Sequence, residues 1–496
     1  MRRSDVRWTF PALFLALSSS VAVLSAPARA AEITDVASSF DDDNPFDFRL
    51  RAGYEFVTKS AAIKREHEGD PNQQQVDLFK DLVYSHQQHR LGLRAEIGLY
   101  QDLMFSVELP MILSDSRSYS YDQRKGSECI YSGKGANCVN AGNSLTTNSA
   151  QTEDASDPDP THYIVPPGGY DAQNGGATFA SGSDLVFRGP HRGGSGGDAF
   201  DTINFGLTWG ALSQKRDSTK PTWVVALEYQ VSIGNIMRFT RNSPPGPDAN
   251  HGVADGLDHL IARTAVSHRF KYVDPYAAFW FDYPIVRRND TEFFDLGSAA
   301  KNQIPQLSGG TIFGLELIPW EKPESHYKLA IDVNGRISGK FDGRGYSELW
   351  EVLASSPALN CDPTWNPSCS PQSMTPDPSD PSGKKTVPWN GSTPYQGRPF
   401  TGITTIENYA TIGGEFALNV QATKYVRFRA NFRYEHDQTH LLTTDDVGKP
   451  DLNGNRVSKP NEYNPAFRPI INEIGRRYRV DDIDTYVLGI WGQLMF

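Results

Sequence analysis

The chain has 496 residues, a formal net charge of −11 and 22% charged residues. An acidic balance with a pI near 5.5 excludes a nucleic-acid binder that relies on phosphate contacts. Beyond the N-terminus no apolar run reaches the roughly 18 residues of a transmembrane helix. A mean hydropathy of −0.49, with 11% aromatics and 43 glycines, suits a chain of strands and polar turns.

In chain order, Met1-Arg2-Arg3 and Arg7 give a basic start, Trp8 to Leu24 is mostly apolar, and Ala28-Arg29-Ala30 is a small-x-small cleavage pattern. Residues 1–30 are therefore read as a secretory signal peptide cleaved before Ala31. The alternative, an uncleaved anchor, is weakened by Ser18-Ser19-Ser20 inside the apolar run. Residues 31–47 form a short segment ahead of the first strand.

From Phe48 onward apolar residues recur at every second position, the signature of strands with one apolar face. Phe48, Leu50, Ala52, Tyr54 and Phe56 oppose Arg49, Arg51, Gly53 and Glu55. Leu91 to Leu99 opposes Arg90, Gly92, Arg94 and Glu96, and Leu103 to Met111 opposes Ser106 and Glu108. Ile203 to Trp209 and Trp223 to Val231 follow, the latter opposing Glu228 and Gln230. Runs near Leu257–Phe270 and Tyr276–Val286 are less regular, and His268 falls on the apolar side of the first of them. Phe313–Leu317, Tyr327–Ile337, Phe416–Val420 and Val426–Tyr434 are cleaner, with Glu316, Asp332, Glu415, Arg427, Arg429, Asn431 and Arg433 on their polar faces. Short connections, such as Tyr100-Gln101-Asp102, Lys271–Pro275 and Thr423-Lys424-Tyr425, alternate with long ones. The long ones run from Lys59 to Val76, Ser114 to Asp198, Gly234 to Gly256, Arg287 to Gln306, Asp342 to Ala410 and Glu435 to Thr485.

The last strand, Thr485 to Phe496, carries Tyr486, Leu488, Ile490, Gly492, Leu494 and Phe496 on one face and ends on the aromatic. It resembles the C-terminal strand of bacterial outer-membrane β-barrels. The resemblance implies an all-β, closed antiparallel transmembrane β-barrel of about twelve strands, with short periplasmic turns and long extracellular loops. It implies residues 31–47 as a short periplasmic N-terminal segment and residues 48–496 as the barrel, with long loops at 114–198, 342–410 and 435–485. The expected location is the bacterial outer membrane. Phe496 would serve as the assembly signal read by the barrel-assembly machinery, and the expected state is a monomer among outer-membrane lipid. Aromatics near the short turns (Tyr100, Phe270, Tyr272, Tyr276, Trp320, Tyr327, Tyr425, Phe496) would form the inner interfacial girdle. No cofactor, metal or nucleic-acid partner is expected.

Cys129 with Cys138, and Cys361 with Cys369, each fall within one long loop. Four cysteines permit three pairings, and local disulfides are the simplest in an exported, oxidising setting. A zinc site would need closer spacing or histidine partners.

In a barrel the polar faces line the lumen. Arg49, Arg51, Arg90, Arg94, Arg427, Arg429 and Arg433 come from the first, second and eleventh strands, which closure brings together as one basic wall. Glu108, Glu228, Asp282, Glu316, Asp332 and Glu415 come mainly from the remaining wall, interrupted by Arg263, Arg269, Lys328 and Arg336. Such a lumen would orient a small polar or anionic solute; the alternative is a salt-bridged filling of a structural barrel. The function expected is therefore a porin or transporter. A structural or adhesion barrel with ligand-binding loops, and an outer-membrane hydrolase, are the competing readings. For the hydrolase, Gly193 to Gly197 matches G-x-S-x-G without the strand-to-helix setting of a nucleophile elbow. Asp258-His259 is one dipeptide, and His268 lacks a serine motif. The acidic run Asp154 to Asp159 is read as solvated loop.

Overall fold

The computed structural model describes residues 31–41, 45–68, 76–123, 139–147, 164–166, 168–239, 251–293, 295–356, 359, 374–376, 386–388, 400–450, 457, 462 and 464–496. The signal peptide, the four cysteines and Asp154–Asp159 lie outside the described residues.

Twelve long strands make the wall: β1 Phe48–Glu68, β2 Val76–Tyr100, β3 Leu103–Tyr121, β4 Thr202–Leu212, β5 Thr222–Ser232, β6 Asp258–Ser267, β7 Val273–Ile285, β8 Ser308–Lys322, β9 Tyr327–Lys340, β10 Tyr409–Gln421, β11 Val426–Asp437 and β12 Tyr478–Met495. Each pairs antiparallel with the next. The sheet closes because β12 pairs with β1 in a register that sets Leu50 opposite Leu494 and Tyr54 opposite Ile490. At the seam the Phe496 N–H donates to the Phe48 carbonyl at 2.9 Å, and their rings lie 6.1 Å apart. Closure gives each of the twelve strands a neighbour on both sides, which is what a β-wall needs in a medium without water.

The two faces follow the alternation. Leu93, Leu207, Leu227, Phe281, Phe313, Phe428, Leu488 and Ile490 are exposed on the outside, an apolar belt with no protein over it. Aromatic side chains stand at the short-turn rim, with Tyr100, Phe270, Tyr272, Trp320, Tyr425 and Phe496 exposed. Tyr276 departs from the expected girdle. On β7 the inward phase runs Asp274, Tyr276, Ala278, so its ring is buried and its hydroxyl donates to Asp332 at 2.5 Å. Three short turns reverse through a non-glycine residue at positive φ: Asp102, Lys271 and His326.

The wall is uneven in height. The stretch from Lys59 to Val76, expected as a long loop, is strand over most of its length, because β1 runs to Glu68 and β2 begins at Val76. A 25-residue strand at roughly 3.3 Å per residue is far longer than the ~30 Å apolar layer. Past the apolar layer the outward face no longer has to be apolar, so the period-two signal fades while the hydrogen-bonded ladder continues. Likewise β3 runs on to Tyr121 and β12 begins at Tyr478.

The long-loop end holds a packed core. Helix α1, Trp350–Ser355, sits against the tall wall, where Tyr84, Tyr119, Leu349, Leu353 and Tyr478 are buried in one cluster. Trp350, fully buried, joins a second cluster with Met237, Leu257, Phe293 and Ile403. Polar links fix the helix. Arg192 pairs with Glu351 at 2.9 Å with both side chains essentially inaccessible, Lys59 meets Glu348 at 2.7 Å, and the Trp350 indole N–H donates to the Thr401 carbonyl at 2.9 Å.

Candidate functional site

The lumen at the short-turn end is occupied by residues 31–41. Glu32–Thr34 form a single 3-10 turn, with the Thr34 N–H donating to the Ala31 carbonyl at 2.9 Å. Ala31, Thr34, Ala37 and Ser39 are buried inside the barrel. Ile33 and Val36 pack on Val224, Ala265 and Ala278 of β5, β6 and β7. Gly98 on β2 makes room: a Cβ there would lie 2.6 Å from Ser39 Oγ and 2.8 Å from its backbone nitrogen.

The acids of this segment meet the basic wall. Arg49 pairs with Asp35 at 3.1 Å and with Asp47 at 2.9 Å. Arg427 pairs with the same Asp35 oxygen at 3.0 Å. Glu32 lies 3.5 Å from Arg429 and 3.9 Å from Arg51. Arg51 also stacks its guanidinium over Trp491, 4.2 Å from the ring centroid. Glu32 and Asp35 were not anticipated from the pattern of strand faces. The available signal was two carboxylates three positions apart, in the segment that precedes a strand opening with Arg49 and Arg51.

The charged residues expected to line the lumen all sit on inward faces, but the basic and acidic sets are not held apart. Arg94 bridges Glu96 at 2.7 Å and Glu108 at 3.0 Å. Arg429 reaches Asp332 at 3.1 Å and also bonds Glu415, which Arg336 meets at 3.3 Å. Glu316 pairs with Lys328 at 2.8 Å, Arg433 lies 3.5 Å from Glu435, and Glu228 accepts from Gln230 at 2.6 Å. Asp282 holds His259 at 2.9 Å, with Asp255 3.6 Å from the other ring nitrogen.

Two lumen arginines escape this pairing. Arg90 bonds the Gln88 side chain, and Arg263 donates to the Ile33 carbonyl at 2.9 Å. Both remain solvent-exposed, and neither has a carboxylate within ion-pair distance among the described residues. Arg263 faces Arg94, Arg336 and Arg51 electrostatically across the lumen. Guanidinium groups from β1, β2, β6 and β9 therefore act on one another within the lumen, with the Glu228 carboxylate among them. Such a set accepts a carboxylate or phosphate through paired N–H donors.

The enzyme motifs do not assemble. Ser195 is exposed and leads into the 3-10 turn Gly196–Asp198 and then β4, not an α-helix. Asp258 points away from His259, accepting from Tyr229 at 2.6 Å and the Ser232 N–H at 2.9 Å. His268 lies against Phe270, ring centroids 4.6 Å apart. Among the described residues no cluster of His, Cys, Asp and Glu could hold a metal ion.

No family model matches the sequence and no curated protein matches it. Solved structures with related folds are distant. An outer membrane channel from Pseudomonas putida F1 is 8% identical, with 90% of this chain and 95% of that chain covered and a TM-score of 0.33. The TodX monoaromatic hydrocarbon channel, in a deletion mutant, is 10% identical, with 93% of each chain covered and a TM-score of 0.29. A Pseudomonas aeruginosa FadL homologue is 7% identical, with 90% of each chain covered and a TM-score of 0.28. At such values the barrel rests on its own strand pairing. Closed antiparallel pairing, an apolar outer belt, aromatic rims and a polar interior make the chain a transmembrane β-barrel of the bacterial outer membrane.

Proposed function

We propose that this outer-membrane barrel is a channel for small polar or anionic solutes. Arg51, Arg90, Arg94, Arg263 and Arg336 would form its mid-lumen contact surface, and residues 31–41 would gate its periplasmic mouth. One observation carries the reading. Carboxylates from a segment outside the wall, Glu32 and Asp35, sit on lumen guanidiniums of β1 and β11. A carboxylate or phosphate solute presents the same charge to the same forked donors, so it competes with the segment's own acids for them. The unpaired Arg90 and Arg263 give the solute a first contact that requires no displacement.

Proteoliposome swelling tests this. A small organic anion should enter faster than a cation of the same size, and Arg90→Ala with Arg263→Ala should erase the preference. Swelling that ignores solute charge in both proteins would refute the anion surface. Absence of swelling even after deletion of Glu32–Asp41 would refute the channel.

A further inference from the structure

Where β7 leaves its turn, Asp274 points into the lumen with no solvent exposure, and among the described residues no side chain hydrogen-bonds either carboxylate oxygen; only the Ala31 backbone N–H is directed at it. The strand register makes this costlier. Asp274 stands opposite Glu316, and Glu316 opposite Asp332, so three acids form a ladder on one face of β7, β8 and β9. Like charges directly opposite destabilise a sheet. Two members of the ladder are compensated, Glu316 by Lys328 at 2.8 Å and Asp332 by Arg429 at 3.1 Å. Asp274 has no cation at ion-pair distance among the described residues. A buried carboxylate left this way is expensive, and native proteins supply it with a partner.

The backbone nitrogen facing this carboxylate is that of Ala31. The next nitrogen along, on Glu32, lies 3.4 Å from the Glu316 carboxylate. Ala31 is also the residue that follows the Ala28-Arg29-Ala30 cleavage pattern. We infer that Asp274 is the binding site for the chain's own α-ammonium group, created at Ala31 when the signal peptide is removed.

Hydrolysis of the Ala30–Ala31 bond by a signal peptidase consumes one water. Ala30 departs as a carboxylate, and Ala31 keeps an amine that takes up a proton. The neutral amide N–H that faced Asp274 becomes a cation with three donors, which supplies the missing countercharge to the acid ladder. Processing would then complete the lumen plug: before cleavage the segment offers Asp274 one neutral donor, and after cleavage a full charge. This inference rests on the gate reading of residues 31–41, but its test does not use transport, so the two fail separately.

The test is amine labelling of the protein purified from outer membranes, with its N-terminus identified by mass. Exposed surface lysines such as Lys424 serve as the internal reference. An ammonium locked to a carboxylate has no lone pair to give, so the Ala31 amine should label at least roughly tenfold more slowly than those lysines in the folded barrel. It should reach their rate in unfolded protein. Asp274→Asn, checked for a folded barrel by heat-modifiable gel mobility, should restore fast labelling. A variant with Gly-Ser inserted between Ala30 and Ala31, which displaces the amine from Asp274, should do the same without touching the strand. Overturning results are a mature N-terminus other than Ala31, rapid labelling in the unmodified fold, or protection that survives both variants.

Discussion

The two ends of the lumen are filled by different physics. At the long-loop end, α1 and its neighbours bury Trp350, Leu349, Leu353, Tyr119 and Tyr478 in contiguous apolar clusters. At the short-turn end, residues 31–41 are held mainly by ion pairs, with Ile33 and Val36 as a small apolar footing. Apolar burial of that size contributes stability that survives salt and solutes. Ion pairs that can rehydrate contribute little net free energy, because both partners regain water on separation. The first end behaves as part of the folded wall. On the proposed channel reading the second is the exchangeable end, where an incoming anion would replace what is given up, and gating would belong to the periplasmic end.

Mutations should separate the ends by size of effect. Trp350→Ala should cost about 3–5 kcal/mol of cap stability, since a large buried ring is removed from a packed core. Proteolysis and hydrogen exchange in α1 should rise while the barrel keeps its heat-modifiable mobility. A loss equally large for Ile33→Ala would erase the contrast. The belt between the ends sets a second scale. Ile490 is 61% exposed to the lipid side, and Ile490→Arg should cost roughly 2–4 kcal/mol if it sits near the midplane. Asn431→Arg, on the lumen face, should cost far less. Urea refolding in detergent measures both, and equal costs would invert the inside–outside assignment.

Acid sharpens the comparison. Burial alone would raise the Glu348 carboxyl, but the Lys59 ammonium outweighs it and holds the group down to about 2, below its ordinary 4.5. A depressed carboxylate stabilises the fold at neutral pH, and that contribution fades as pH falls from about 4.5 toward 2. The cap should thus lose on the order of 1–3 kcal/mol across that window. Glu348→Gln should flatten the dependence; an unchanged acid profile in that variant would show that other groups carry it. At the plug, Glu32→Gln with Asp35→Asn removes the countercharge shared by Arg49 and Arg427, whose side chains are only 10% and 11% exposed. It should loosen residues 31–41, read as faster hydrogen exchange there, while the barrel keeps its heat-modifiable mobility. The same pair should change solute flux more than any cap variant that still folds.

Much of this barrel was legible in the sequence. Most strands announced themselves where one face meets lipid and the other water, as in β11, where Phe428, Ala430 and Phe432 alternate with Arg429, Asn431 and Arg433; the runs that became β6 and β7 were less regular. Legibility ended where that asymmetry ended. Lys59 to Glu68 continues the ladder outside the apolar layer, so its alternation is lost and it reads as loop. Tyr276 reads as a girdle aromatic by its place near a short turn, and only the inward phase of β7 turns it toward Asp332. The arginine wall was visible because strand phase fixes which residues face inward. Its partners Glu32 and Asp35 were not, because a segment with no periodicity does not show that it folds back into the lumen, and two carboxylates three positions apart were its one trace. The cap core was hidden for a related reason: α1 is six residues long, too short for a helical period to show.

The most direct measurement is single-channel conductance in planar bilayers, comparing the full protein with one lacking Glu32–Asp41. Removing the segment should turn rare, small openings into frequent discrete channels that prefer anions, and adding back Arg90→Ala and Arg263→Ala should abolish the preference. Identical conductance with and without the segment would contradict a gate at the periplasmic end, and cation preference in the shortened protein would contradict the arginine surface behind it.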